Sequence, residues 1–176
     1  MATLSRERIL STALRLADRD GLECASLRRV AHELGVTPMA LYRHVAGKED
    51  LLDGMADLLY AELETPAPAA DWWDDLGALA RATRRSLLRH PSAVSLFSRP
   101  VVGPHGQHLA DRLLDALRRA GFYEAEALEL HEQLTQMVFG LILPELGRRR
   151  SRARDAAFER GLELLHAGLL ARLGPQ

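Results

Sequence analysis

The chain has 176 residues, enough for one continuous hydrophobic core or two small ones. Its 47% apolar and 27% charged residues are ordinary globular composition and exclude an intrinsically disordered chain. The formal net charge of −1 excludes an overall basic excess, so any affinity for a polyanion has to come from where the charges sit.

The first residues lack the apolar stretch of a secretory signal. The longest apolar run, around Met137 to Leu143, is too short to span a bilayer. Cys24 is the single cysteine, which leaves no intrachain disulfide and no cysteine-based zinc cluster. A soluble protein of the reducing cytoplasm, without membrane partner, is expected.

In chain order, Ile9, Leu10, Ala13, Leu14 and Ala17 mark one face of a helix from about Ser5 to Asp20, capped by Ser5 and ended by Gly21. A short helix follows from Ser26 to Gly35, with Leu27, Val30, Ala31 and Leu34 inward. A third starts at once: Thr37 is its capping residue, Pro38 suits the first helical position, and Leu41 and Val45 carry the apolar stripe until Gly47. The fourth, from about Lys48 to Leu63, has Glu49 and Asp50 in its first turn, where carboxylates complement the helix dipole.

The segment Thr65 to Ala70, with Pro66 and Pro68, breaks the pattern and marks a boundary. Further helices are expected at roughly 71–89, 106–120, 124–146 and 154–173, with His90-Pro91 and Ser98-Arg99-Pro100 as interruptions. No strand pattern occurs. The reading is an all-α protein of about 8–9 helices. It divides into a three-helix unit at 1–47, a connecting helix at 48–64 and an antiparallel helical bundle at 65–176.

Two short helices joined by a tight turn at Gly35, the second with its outer face free, have helix-turn-helix geometry. That second helix has to reach into a major groove about 12 Å wide, so few of its residues can point inward. Val36, Leu41 and Val45 anchor it, while Arg28, Arg29, Arg43, His44 and Lys48 make the unit locally basic.

Residues 27–45, LRRVAHELGVTPMALYRHV, followed by KEDLL at 48–52, resemble the DNA-binding domain of the tetracycline-repressor (TetR) family over about residues 5–60. The resemblance implies a regulator of transcription that binds double-stranded operator DNA as a homodimer. Arg28 would reach a base edge, Thr37, Pro38, Met39 and Ala40 would set sequence preference, and Tyr42, His44 and Lys48 would bind phosphates. Ser26, at the start of the second helix, is a further phosphate contact.

Residues 71–122, with Leu88-x-His90, Arg99-Pro100 and Gly121-Phe122, are similar to the C-terminal domain of the tetracycline-repressor type. The family's drug- and magnesium-contacting positions are occupied here by Glu64, Leu79, Thr83, Ser95, Ser98 and Leu113, without the metal-binding histidine, which argues against tetracycline as effector. A small-molecule site would be lined by Leu79, Thr83, Phe97, Leu113 and Met137, with Arg99, Gln107 and His131 as polar anchors. Such an effector would move the helix at 48–63 and release the operator. No cofactor or metal is expected.

Leu134, Met137, Val138, Leu141 and Ile142, with Phe158, Leu162, Leu165 and Leu169, form two stripes suited to pairing two chains through their last two helices. Arg148, Arg149, Arg150, Arg152 and Arg154 form a dense basic run, read as a solvated loop that neutralises helix-end carbonyls rather than as a DNA arm. The alternative to a regulator is a small all-α enzyme or an interaction module. Its best material is His105-x-x-His108 and His131-Glu132, and Thr135 stands where a zinc-protease motif needs its second histidine.

Overall fold

A computed structural model describes residues 3–173 of the chain. The described elements are α1 (Arg6–Asp20), α2 (Leu27–Leu34), α3 (Pro38–Leu41), α4 (Lys48–Ala61), α5 (Trp72–Arg89), α6 (Pro104–Ala120), α7 (Glu124–Ile142) and α8 (Arg152–Leu173). Short 3-10 segments lie at Leu22–Cys24, Pro91–Ser98 and Leu143–Glu145. No strand occurs among the described residues, and no helix there is long and apolar enough to cross a membrane.

The chain forms two compact units. The first takes in the residues up to Glu62 together with Arg89–Gln107, and the second Leu63–Leu88 together with the residues from His108 onward. α4 therefore belongs wholly to the first unit, and the 3-10 run after α5 returns to it.

In the first unit, α1 starts where the Ser5 hydroxyl accepts from the Arg8 N–H, and it ends at Gly21, whose φ of 92° suits a residue without Cβ. Ile9, Ala13, Leu16 and Ala17 of α1 are buried with Val30 and Ala31 of α2 and Leu51, Met55 and Leu59 of α4. Ala93 and Leu96 of the 3-10 run are buried too, and that run packs against α1 and α4. α1 and α4 approach closely at Gly54, where a Cβ would lie 2.6 Å from Leu10 Cδ2.

In the second unit, Leu76 of α5, Ala116, Leu117 and Ala120 of α6, Ala127, Leu130 and Leu134 of α7 and Leu169 of α8 make one apolar cluster. Burial of each large side chain contributes roughly 1.5–3 kcal/mol. Charges hold its margins. Asp75 is fully buried and accepts from Arg112 at 2.5 Å and Arg119 at 2.6 Å. Arg112 also donates to the Pro66 carbonyl and Arg119 to those of Ala69 and Ala70, which fastens the Pro/Ala linker to this unit. Buried Arg84 binds Glu145 and Asp155 and lies 4.7 Å from the Phe158 ring centre.

The stripes expected to pair two chains divide differently. Leu134, Ile142, Phe158, Leu162 and Leu169 are buried within the chain itself. Leu141 lies against α8, where a Cβ on Gly161 would come within 2.5 Å of it. Of the expected residues Met137 is exposed and Val138 and Leu165 are half-buried, while Leu143, Leu164 and Leu170, outside the expected stripes, are exposed as well. α8 carries apolar residues on both sides, so spacing alone does not separate the inner face from the outer one.

Candidate nucleic-acid interface

The turn between α2 and α3 is built around Gly35, which has φ 67° and ψ 31°, the left-handed conformation that closes a helix. Its N–H and that of Val36 return to carbonyls at the end of α2, Val36 to Ala31 at 3.0 Å. Thr37 is extended and Pro38 opens α3. Thr37 does not cap with its side chain, contrary to expectation: the Ala40 N–H goes to the Thr37 carbonyl, and the hydroxyl makes no capping bond. Ser26 does cap, accepting from the Arg29 N–H at 3.3 Å.

α3 is held from below and open above. Leu41 and Val45 are buried, whereas Met39 is 73% exposed and Tyr42 50%. Thr37, Pro38 and Arg28 are also exposed, Ala40, Ser26 and His44 are half-buried, and Lys48 stands exposed at the first position of α4. The free backbone N–H groups at that helix start, beside an ammonium, suit a phosphate oxygen.

α-Helical structure stops at Leu41, earlier than the stripe to Val45 suggests; the His44 and Val45 N–H groups still return to the Leu41 carbonyl, and two side chains take the backbone groups next to them. Arg6 donates to the His44 carbonyl at 2.7 Å, and Asp50 accepts from the Ala46 N–H at 2.7 Å. Arg6 and Asp50 are joined by bonds of 2.6 and 3.0 Å. The Arg6 guanidinium, helped by the Ala46 N–H, holds the Asp50 carboxyl below its ordinary range.

Arg29 leaves the basic group: it turns to Asp20 at 2.7 Å. Arg28, Arg43 and Lys48 have no carboxylate partner among the described residues and remain available to an external anion.

The remaining acids of α4 fasten it to the segment that returns from α5. Arg99 binds Glu49 at 2.7 Å and Asp53 at 2.7 Å. Asp57 accepts from the backbone N–H groups of His105 and Gly106 and meets His105 Nδ1 at 2.9 Å. Gly103 lies so near this carboxylate that any Cβ would overlap it. His90 sits between Asp18 of α1 at 2.8 Å and Glu62 at 3.1 Å. In the sequence, Glu49 and Asp50 stand out only as helix-start acids, and the acids at Asp53 and Asp57 give no signal apart from their one-turn spacing.

Of the expected effector contacts, Phe97, Arg99 and Gln107 belong to the first unit and Leu79, Thr83, Leu113, His131 and Met137 to the second. Phe97 is buried edge-on to Tyr60 at 5.0 Å, and Arg99 is engaged as above. Gln107 is exposed, Leu79 buried and Met137 half-exposed. Thr83, Leu113 and His131 are half-buried, and desolvation keeps the His131 imidazole below its ordinary pKa, favouring the neutral ring. An open groove of about 500 Å³ in the second unit is lined by Glu64, Thr65, Pro66, Ala78, Arg81 and Arg85, none of them among those eight residues. No cluster of three or more metal-ligating side chains occurs among the described residues.

Helices α1 to α3, with an exposed, basic-flanked α3 after a tight turn, have the architecture of a helix-turn-helix protein. Residues 9–55 match the family of bacterial regulatory proteins named for tetR, and residues 65–154 match the tetracyclin repressor-like C-terminal domain. The chain belongs to the TetR family.

It is 36% identical over 165 residues to the HTH-type transcriptional repressor DrrR1 of Streptomyces coeruleorubidus, covering 90% of this chain and 61% of that protein's length. Among solved structures, Streptomyces coelicolor ActR in complex with (S)-DNPA superposes with a TM-score of 0.84 at 30% identity, over 98% of this chain and all of that one. BioQ with its double-stranded DNA operator superposes with a TM-score of 0.80 at 30% identity, over 96% of this chain and 99% of that one.

Proposed function

We propose that the chain is a transcriptional repressor that binds a palindromic operator as a homodimer and leaves it when a small molecule binds the second unit. One observation carries this reading. α3 is anchored by two buried residues, Leu41 and Val45, while its tip is exposed and Arg28, Arg43 and Lys48 flank it without a carboxylate partner among the described residues. Pro38, Met39 and Ala40 offer apolar contacts of the kind a thymine methyl accepts, and Arg28 supplies the bidentate donor. The relatives support it: DrrR1 is a repressor, BioQ was solved on its operator and ActR with a small molecule.

Dimerisation is assigned to the exposed face of α7 and α8. Met137 on α7, Leu143 directly after it and Leu164 on α8, the last 75% exposed, are near in sequence to Gly140 and Gly168, where a Cβ would meet open space. Covering that face with a second copy removes it from water and supplies the second α3 that a two-fold operator needs. The effector is assigned to Thr83, Leu113 and His131, whose partial burial suits a cavity wall. α4 is the lever, since Glu49, Asp50, Asp53, Asp57 and Glu62 bind other side chains and backbone segments of the first unit and transmit displacement to the turn after α3.

The test is selection of duplexes from a pool of genomic fragments by the full chain at two salt concentrations, with Arg28→Ala and Tyr42→Ala beside it. Enrichment of a palindrome, abolished in both variants, is expected. Weak, sequence-blind binding unchanged by either substitution overturns the reading.

A further inference from the structure

Five arginines fall between Gly147 and Arg154, and the sequence pattern makes them a solvated loop whose guanidinium groups satisfy helix-end carbonyls. Among the described residues Arg154 alone reaches a carbonyl, that of Arg149, which lies within the loop and not at a helix end. Arg150 pairs with Asp155 at 3.2 Å. Arg148, Arg149 and Arg152 are exposed and have no carboxylate or carbonyl partner among the described residues.

The reason lies underneath the loop. Of the two acids that flank the run, Glu145 is held by the buried guanidinium of Arg84 at 2.5 Å, and Asp155 is divided between Arg84 at 2.8 Å and Arg150 at 3.2 Å, which leaves no flanking carboxylate for Arg148, Arg149 and Arg152. The loop is also tied at each end. Glu145 is buried, the Arg148 N–H returns to its carbonyl at 3.1 Å, and the Ser151 hydroxyl accepts from the Arg154 N–H where α8 begins. A short, pinned loop thus presents unneutralised arginines to solvent, at a cost in self-repulsion that an external polyanion would remove.

We propose that this loop is a second phosphate-binding surface, which holds duplex DNA by its backbone without reading its sequence. Arginine forks match phosphate oxygens, and Gly147, Ser151 and Ala153, the other residues of the run, add no large apolar side chain. An acidic protein partner would need such an anchor at the centre of its interface, whereas a phosphate backbone needs only charge and donors. The surface is distinct from α3 and lies in the other unit.

The experiment measures binding of the full chain to a random-sequence duplex across a salt series. Arg148, Arg149 and Arg152 are changed to Gln, singly and together, in wild type and in the Tyr42→Ala background. Removing one arginine–phosphate pairing should flatten the plot of log affinity against log salt by about 0.9, hence by about 2.7 in the triple variant for each loop that touches the duplex. The triple Lys variant should recover most of the slope. Unchanged slopes in the folded Gln variants, judged by wild-type melting, overturn the proposal. A polyglutamate peptide bound as tightly as the duplex, and released by the same substitutions, also overturns it, in favour of a protein partner. Failure of the operator reading would look different: Tyr42→Ala would then leave palindrome selection untouched.

Discussion

Arg6 and Asp50, 44 positions apart, are bonded to one another through both terminal guanidinium nitrogens and both carboxylate oxygens, and the pair also holds the His44 carbonyl and the Ala46 N–H. The chain leaving α3 is therefore fixed by an ion pair between α1 and α4. Arg6→Ala and Asp50→Asn should each lower operator affinity roughly tenfold, about 1.4 kcal/mol. A partly exposed pair contributes only about 0.2–1 kcal/mol to stability, so the melting temperature should move little. The double variant should bind no worse than either single one, because both remove the same clamp. Full operator affinity in both variants, read by fluorescence anisotropy, would detach the clamp from recognition.

The same carboxylate gives the fold an acid dependence of known sign. Arg6 holds the Asp50 pKa below its unfolded value of about 3.9. The stability from this shift is fully present above that unfolded value and is lost as pH falls through the folded one. The gap between the melting temperatures of wild type and Asp50→Asn should therefore be constant above about pH 4 and close as the pH is lowered further. A gap that stays constant would assign the acid dependence elsewhere.

Asp75 should be the least replaceable acid of the second unit. It is fully buried between Arg112 and Arg119, and its removal leaves two guanidinium groups without their carboxylate. Breaking such a pair costs about 3–5 kcal/mol. Asp75→Ala should melt far below wild type, while Asp115→Ala, at a side chain 67% exposed, should stay within about 0.5 kcal/mol. Equal melting of the two variants would mean that the network adds nothing net.

Leu164→Glu places a charge on an exposed face and so should spare the folded chain. Sedimentation velocity at micromolar concentration should show a monomer where wild type is a dimer, with operator binding abolished in parallel. A dimer that survives the change would move the interface to another surface.

The recognition unit is legible because its signals are local. Gly35 needs a left-handed backbone, and Thr37-Pro38 marks a helix start directly after it. The path of the chain after α3 is not, since Arg6 and Asp50, which hold the His44 carbonyl and the Ala46 N–H, come from elements distant in sequence. Pro91 and Pro100 flag a break after α5, but no spacing rule says to which core a 3-10 run returns. The two apolar sides of α8 present the same difficulty: Leu162 and Leu164 are both leucine, one buried and one in water, and only packing tells them apart. Asp75, Arg112 and Arg119 carry no warning either, because a buried ion network leaves no periodic trace.

The chain's two tryptophans, Trp72 and Trp73, are adjacent at the start of α5, and Trp73 stacks on His166 of α8 with ring centres 4.3 Å apart. Tryptophan fluorescence, excited at a wavelength where the three tyrosines do not absorb, is thus an emission from one end of one unit. A denaturation curve followed by that light records the separation of α5 from α8 and is blind to the DNA-reading helices, which contain no tryptophan. Followed by circular dichroism, the same titration weighs every helix alike, and any interval between the two midpoints measures how independently the halves of this protein come apart.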